Sequence, residues 1–439
     1  MMLACAVPAR VQAQSLIRDS EIERTLDAMT RPILAAAGLP PQSVAIYIIN
    51  DRSLNAFVAG GRNMFLHTGL MIELDTPEQL QGVIAHEIGH IAGGHQARRQ
   101  QALESATGPA LLGLALGIAA AAAGAGEAGL GIGLGAQGAV QRALLSYSRG
   151  EEAAADQAAL SYMNRAGIDP RGLRDVIARF RGQEVLTIGQ LDPYTQTHPL
   201  STDRMQLIDR AAEAAAAKTW TREPGILYAH ARMRAKLSGF LESPRGVLEG
   251  KDDDELVAGL GAAEAEEITL YRRAIAEHRL PDLDASLVSL DRLLGLRPDD
   301  PYYWELKGQV LYESGRAADA VPAYRRAVTL APGAPLLLAG LGRALLALDQ
   351  PDASAEALVV LERARRDDPG DPFMLRALAV AYDRAGNRGM ATLVTAERFA
   401  LIGRPRDAMF HAERAAALLP SGSPAWLRAE DLKALAPRR

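Results

Sequence analysis

The sequence is poor in cysteine and in clustered basic charge, and each shortage excludes a class of function. Its 439 residues contain one cysteine, Cys5, close to the N-terminus. This excludes disulfides within the chain, zinc sites built on cysteine clusters and a catalytic thiol elsewhere in the sequence. The net charge is −5 and no block of Lys and Arg stands out, so we expect no nucleic-acid partner.

The chain does contain enough apolar material for more than one folded domain. Hydrophobic residues make up 48% of its 439 positions, which suits two or three domains with substantial cores. Residues 1–14 are apolar and rich in small side chains, and the end of this stretch would suit a signal peptidase. We interpret it as the remnant of a secretory signal; a structural segment and a lipoprotein site at Cys5 are the alternatives.

The region that follows predicts a small amount of β-structure between helices. Residues 15–31 are typical of an amphipathic helix, and residues 43–50 (SVAIYIIN) of a buried strand. The next stretch predicts a hairpin that turns at Gly60-Gly61.

The C-terminal half repeats with the period of a tetratricopeptide (TPR) unit. Pro298 and Pro332 are 34 residues apart, which is the length of one such unit. A three-residue insertion near Gln350 interrupts the register, a further pair begins near Pro372, and a looser copy covers residues 266–296. A generic helical bundle is the alternative. The residues of the clearest copy that fall at the repeat's offsets are Trp304, Gly308, Ala320, Tyr324, Ala327 and Pro332.

Three of the eight histidines lie within ten residues of one another, in VIAHEIGHIAGGH, on a helix that Pro77 is expected to open. His86 and His90 are four residues apart, hence about 40° apart around a helix, so both imidazoles can reach one ion. Glu87 between them can move a proton from the attacking water to the leaving amine. This is the HExxH arrangement of zinc proteases; two helical histidines without a metal are the alternative.

The third histidine of this stretch is not predicted to bind the same ion. His95 is nine residues past His86, which places it about 180° around a continuing helix. Gly93-Gly94 is expected to end the helix first. We therefore predict a helix-end or surface histidine.

A catalytic zinc site needs a third protein ligand and an open position. A histidine ligand in HExxHxxGxxH would fall at residue 96, which is Gln96. The alternative is a glutamate on a second helix, and SRGEEAAADQ offers Glu152 and Asp156, four residues apart. We predict that Glu152 binds zinc and that Asp156 accepts the free N–H of a ligating imidazole. A solvated acidic helix face is the alternative.

These motifs together resemble those of the HtpX/BepA-type gluzincin metalloproteases over residues of about 40 to 210. The resemblance implies an α+β, mainly α fold: a zincin-like metalloprotease domain with a small β-sheet at residues 15–220, followed by an α-helical TPR solenoid at residues 221–439. It also implies one Zn²⁺ per chain, with Asp156 and Arg204 supporting the ligands. The residues that carry it are HEIGH, Ser148-Arg149, Glu152-x-x-x-Asp156, Thr197-His198-Pro199 and Arg204.

The resemblance further implies a role for His198, in the His-Pro motif. Relatives can use this histidine as a removable fourth zinc ligand that keeps the protease latent. An imidazole there could equally stabilise an oxyanion, so His198 joins Glu87 as a catalytic candidate.

The Ala/Gly-rich segment departs from the family, some of whose members have membrane spans there. Residues 107–126 carry no charge, but the run at 128–141 is too short to return across a bilayer. An odd number of membrane crossings in this segment would place His86 and His90 on the opposite side of the membrane from Glu152, so that they could not bind one ion. We therefore expect a helical hairpin or plug near the cleft, which contacts a membrane surface through residues 107–140 or an unfolded substrate; packing between helices is the alternative.

The predicted function is a zinc-dependent endopeptidase with an attached TPR module. The resemblance implies periplasmic quality control and assembly of outer-membrane proteins, with unfolded or misassembled proteins as substrates. It also implies contact with the outer-membrane assembly machinery through the TPR repeats. We expect an exported protein of the periplasm, with outer-membrane association left open. The alternative is a chaperone or adaptor with a latent protease site, whose TPR surface is the main functional part.

Overall fold

The computed structural model describes residues 16–95, 97–98, 149–181, 193–280 and 282–434, which divide into two compact units. The first unit is formed mainly by residues 22–238 and the second mainly by the residues from 262 onward. The proposed signal remnant at residues 1–14 and the Ala/Gly-rich segment at 107–140 lie outside the described residues. The domain boundary at residue 220 stays a prediction.

The first unit contains a four-stranded sheet with the order β1-β2-β4-β3. Strand β2 runs parallel to β4, whereas β1 and β3 pair antiparallel with their neighbours. Strand β3 is therefore an edge of the sheet as described. The strands are β1 Leu16–Ile17, β2 Ala45–Ile49, β3 Ala56–Ala59 and β4 Asn63–His67.

The predicted strand and hairpin are confirmed. The hairpin turns at Gly60 and Gly61, with φ of 59° and 92°, a conformation that glycine adopts without steric cost. The stacked rings of Phe57 and Phe65, 5.0 Å apart, belong to residues that are paired in the β3–β4 register and stabilise it.

Helices account for most of the rest of this unit, and the HEIGH motif lies on the third of them. The predicted N-terminal helix begins at Ser20 rather than at residue 15, because Leu16 and Ile17 pair with β2. The helices are α1 Ser20–Ala37, α2 Thr68–Glu73, α3 Pro77–Ala92, α4 Arg149–Ala166, α5 Arg171–Arg179, α6 Pro193–Thr197, α7 Thr202–Ala216 and α8 Ile226–Leu241.

Helix α3 begins where the sequence predicts. Pro77 is at its first turn, and Thr76 and Gln79 form a capping box in which each side chain accepts a backbone N–H of the other. Helix α3 packs against α4 and α5. A Cβ at Gly89 would lie 2.8 Å from the Ala155 carbonyl oxygen, so glycine inside the HEIGH motif lets α4 approach α3 closely.

The second unit consists of paired helices, which confirms the TPR prediction. The pairs of the described residues are α11/α12, α13/α14, α15/α16, α17/α18 and α19/α20. The described helices from residue 244 onward are α9 Pro244–Leu248, α10 Asp253–Leu256, of which residues 254–256 belong to the first unit, α11 Ala262–Arg279, α12 Leu283–Leu296, α13 Pro301–Glu313, α14 Ala317–Leu330, α15 Pro335–Ala347, α16 Pro351–Asp367, α17 Pro372–Arg384, α18 Arg388–Leu401, α19 Pro405–Leu418 and α20 Pro424–Ala434.

The predicted register holds in these pairs. Helices α13 and α15 begin 34 residues apart, at Pro301 and Pro335. The three-residue insertion lengthens α16 to 17 residues, against 14 in α14. No helix in the part of the chain that the structure describes is both long and apolar enough to cross a membrane.

Small residues at the repeat positions allow neighbouring helices to close on a buried ring. Tyr324 of α14 is 3% exposed. A Cβ at Gly308 of α13 would lie 2.8 Å from this ring, and one at Gly340 of α15 would lie 2.5 Å from it. Both distances are shorter than a van der Waals contact, so the ring fills the space that the two glycines leave.

We expect Gly308→Ala to lower the free energy of unfolding by about 1–3 kcal/mol, because the new methyl group overpacks the contact with Tyr324. Urea unfolding of the full chain, followed by circular dichroism, measures it. Gly333→Ala is the matched control, since no atom lies within 4 Å of its added Cβ. Equal stability of the two variants would contradict the packing argument.

Candidate metal centre

Helix α3 presents two imidazoles to one point in the interior of the first unit. His86 and His90 are both fully buried. Their Nε2 atoms are 3.0 Å apart. The four-residue spacing therefore produces the convergence expected of it.

Glu152 and His198 complete a cluster of four. Glu152 on α4 places Oε1 3.2 Å from His90 Nε2 and Oε2 3.5 Å from His86 Nε2. His198 follows α6, and its Nδ1 lies 3.1 Å from Glu152 Oε1 and 3.3 Å from His86 Nε2. One candidate ligand atom from each of the four residues lies within 4.8 Å of the other three.

This donor set fits zinc. Three imidazole nitrogens and one carboxylate oxygen are ligands that Zn²⁺ prefers, and four of them suit its tetrahedral coordination. All four residues are buried, where polar atoms are costly unless they are paired. A divalent cation between them would satisfy the nitrogens and the carboxylate together.

Asp156 and Arg204 lie directly behind the cluster. Asp156 Oδ1 is 2.9 Å from His86 Nδ1, whereas it is Nε2 of this ring that approaches the other three residues. Arg204 donates to Asp156 from Nε at 2.6 Å and from Nη2 at 3.0 Å, and its Nη1 is 2.6 Å from Glu152 Oε2. These contacts are compatible with the supporting roles predicted for both residues.

The pKa values of two buried carboxyls, Glu152 and Asp156, are lowered despite their burial. Burial alone raises the pKa of Glu152, but His198 and Arg204 outweigh it and hold this pKa well below its ordinary value. For Asp156 the desolvation is outweighed by the hydrogen bond with His86 and by the Arg204 charge, and its pKa is also lowered. The pKa of Arg204 itself is raised, since the two carboxylates overcome its burial.

Glu87 faces the same interior space from α3 and approaches a different side of His198. Its Oε1 is 3.3 Å from His198 Nε2. Burial raises the pKa of its carboxyl, and the nearby His198 and His86 only partly oppose this. Glu87 is therefore a carboxylate that takes up a proton more readily than a free glutamate, in contrast to Glu152.

The prediction that His95 lies at a helix end is confirmed, but the expectation of a surface position is wrong. The helix ends at Ala92, and Gly94, with φ of 65°, turns the chain back. His95 is 3% exposed, and its Nδ1 lies 2.8 Å from Nδ1 of His90. The spacing of His95 from His86 excludes a shared ion but does not reveal that His95 can hold the second nitrogen of His90.

The backbone of β3 also contacts the centre, which the sequence analysis did not anticipate. His198 Nε2 is 3.0 Å from the carbonyl oxygen of Ala56. A carbonyl only accepts hydrogen bonds, so Nε2 carries a proton, and Nδ1 is the ring atom that faces the cluster. The ring of Tyr194 lies 4.8 Å from that of His198 and helps to keep it in place.

Comparison with known proteins agrees with this geometry. Residues 18–212 match the model of Peptidase family M48. These residues form a peptidase M48 domain. The beta-barrel assembly-enhancing protease of Yersinia pestis is 26% identical over 93% of this chain and 82% of its own length. Its namesake from Escherichia coli K12 is 25% identical over 93% of this chain and 81% of its own. The crystal structure of MamA is 16% identical, with a TM-score of 0.29, over 37% of this chain and 94% of its own.

The chain is a zinc metalloendopeptidase with an M48 peptidase domain, and His86, His90 and Glu152 lie close together in that domain. A TPR unit follows the peptidase unit along the sequence.

We expect His95→Leu to weaken zinc binding about 10- to 100-fold, because it removes the group that orients the ring of His90. Competition with a chromophoric chelator measures the affinity, and thermal unfolding of the metal-free protein shows separately whether the fold survives. His95→Gln keeps a polar partner and should lose less. An unchanged affinity in His95→Leu with an intact fold would contradict the role.

Proposed function

We propose that the chain is a periplasmic endopeptidase that binds one zinc ion through His86, His90 and Glu152. It acts on unfolded or misassembled proteins during outer-membrane protein assembly. The observation that carries this proposal is the buried cluster of these residues with His198, whose candidate ligand atoms lie within 4.8 Å of one another. Asp156 fixes the orientation of His86 through Nδ1, and Arg204 compensates the carboxylate charges.

The proton transfers of peptide hydrolysis are assigned to Glu87. A zinc ion at the centre supplies positive charge that polarises the scissile carbonyl and lowers the pKa of water. The Glu87 carboxylate accepts the proton of the attacking water and delivers it to the leaving amine nitrogen. Its Oε1 faces the same interior space as the cluster, 3.3 Å from His198 Nε2.

His198 is assigned the role of a latch in the resting enzyme. Its protonated Nε2 donates to the Ala56 carbonyl, so Nδ1 is the atom available as a fourth ligand. Four protein ligands close the position that a substrate needs. Release of His198 opens this position, and the freed imidazole can then serve an oxyanion.

The assembly role is supported by two further observations. The relatives that cover most of the chain are named beta-barrel assembly-enhancing proteases. Stacked helix pairs present an extended surface that is suited to protein partners, here a client chain or the outer-membrane assembly machinery. The latch geometry also favours the second candidate, a chaperone whose protease site is silent until His198 leaves. Membrane contact through residues 107–140 and association with the outer membrane remain predictions.

Incubation with an unfolded outer-membrane barrel chain tests the latch and the base together. We expect slow cleavage by wild type, cleavage at least about tenfold faster by His198→Ala, and none by Glu87→Gln, followed as fragments on gels. His411→Ala, a half-buried histidine of the TPR unit, is the matched control and should match wild type.

Slower cleavage by His198→Ala than by wild type would replace the latch with a transition-state role. Turnover by zinc-loaded Glu87→Gln would remove Glu87 as the base.

Metal analysis tests the ligand set independently of cleavage. We expect one zinc per wild-type chain and a loss of at least about 100-fold in affinity for Glu152→Ala, since it removes one of the three permanent ligands. His198→Ala should retain the ion, because three ligands remain. Full zinc occupancy in Glu152→Ala at nanomolar free metal would contradict the assignment.

A further inference from the structure

A groove of about 430 Å³ lies in the TPR unit on the first helices of three consecutive pairs, α13, α15 and α17. These helices start at Pro301, Pro335 and Pro372, so equivalent positions recur along the groove. The lining residues that matter below are Tyr312, Arg343, Leu346, Phe373, Arg376 and Val380.

Apolar side chains line the groove although solvent reaches them. Phe373 is 62% exposed and Val380 is 42% exposed, and they are seven residues apart, on one face of α17. Leu346 of α15 adds a buried apolar side chain to the lining. An exposed aromatic beside further apolar surface in a groove is typical of a binding site.

Two arginines on the same groove form no ion pair among the described residues, although Arg343 interacts electrostatically with Glu313. Arg343 and Arg376 are exposed, and neither forms an ion pair with any residue of the described ranges. Arg343 lies over the ring of Tyr312 at 5.9 Å, and the described residues that line the groove include no acidic one. The nearby carboxylate of Glu313 is occupied by His278 at 2.8 Å and by Gln309 at 2.9 Å.

The positive charge of this groove contrasts with the negative net charge of the chain. The protein carries a net charge of −5, and several other exposed arginines of the TPR unit are paired, such as Arg325 with Glu356 at 2.6 Å. Two guanidinium groups without such partners, beside an apolar floor, are complementary to carboxylates interleaved with apolar side chains.

We propose that this groove binds an extended peptide segment in which acidic and apolar side chains alternate. Carboxylates of the segment pair with Arg343 and Arg376, and an apolar side chain lies against Phe373 and Val380. An anionic membrane fits less well, because surfaces that bind it carry clusters of about four to eight basic residues rather than two in a groove. The inference deepens the proposed TPR role and rests on it only in taking a protein chain as partner.

Fluorescence anisotropy with the full chain tests the proposal. The probe is a fluorescein-labelled peptide of about ten residues in which Asp alternates with Leu or Phe, a length that spans roughly 30 Å when extended. One matched peptide carries Asn for Asp. The background is Glu87→Gln, in which mass spectrometry verifies that the peptide stays intact. Because no cleavage is measured, failure of the protease mechanism leaves this result unaffected.

We expect the acidic peptide to bind about tenfold more tightly than the Asn peptide, and about 0.5 M salt to remove this difference. Arg343→Gln and Arg376→Gln should each weaken binding about two- to fivefold, and Phe373→Ser about tenfold. The matched control is Arg366→Gln, at an exposed arginine of α16 that lies outside the groove lining and has no ion pair among the described residues. It should bind like the background protein.

Three results would overturn the proposal. Equal affinity for the Asp and Asn peptides would show that the arginines do not contribute and that only apolar contacts bind the peptide. Equal loss in Arg366→Gln would make the charge effect non-specific. Sedimentation that shows self-association abolished by Phe373→Ser, with no peptide bound, would assign the groove to a second copy of the chain.

Discussion

The buried guanidinium of Arg204 is the interaction on which the peptidase unit depends. It is 1% exposed and meets two carboxylates that are also buried, Glu152 at 2.6 Å and Asp156 at 2.6 Å. Burying two such anions without a cation would cost several kcal/mol for each charge. With Arg204 in place, Glu152 can face Nε2 of His86 and His90 while Asp156 faces Nδ1 of His86. Arg204 on α7 therefore stabilises the ionised forms of Glu152 and Asp156 on α4. Asp156 in turn orients the ring of His86 on α3.

Close packing between helices fixes the geometry of these contacts. Gly89 lies between the two histidines of the HEIGH motif, where a side chain would collide with the backbone of α4 at Ala155. Gly82, two turns earlier, leaves similar room for α5, since its added Cβ would lie 2.9 Å from Leu173 Cα. The distance between α3 and α4 is thus limited by backbone contact rather than by flexible side chains. The proposed metal site would therefore be held by two rigid elements rather than by loops.

Helical spacing explains which features could be predicted from the sequence. Residues four apart share a face, so the spacing alone pairs His86 with His90 and Glu152 with Asp156, and the 34-residue period locates the helix pairs. Contacts made by a returning chain or by the backbone could not be predicted in this way. His95 reaches His90 only because Gly94 reverses the chain, and the Ala56 carbonyl has no side-chain signature at all. A residue pattern shows which residues share a helix face and at what interval a motif repeats. These contacts depend instead on how distant parts of the chain pack in the folded protein.

The backbone around His198 determines how a latch at this position can move. Its N–H donates to the Tyr194 carbonyl at 2.8 Å, and Arg204 donates to the carbonyl of Pro199 at 2.9 Å. The chain is therefore held on both sides of His198 by groups that also build the centre. Withdrawal of the backbone would disturb Arg204 and with it the compensation of the Glu152 charge. Rotation of the side chain breaks only the contacts of the ring, including the hydrogen bond to Ala56. A latch at His198 would thus open by side-chain rotation, which leaves the three permanent ligands in place.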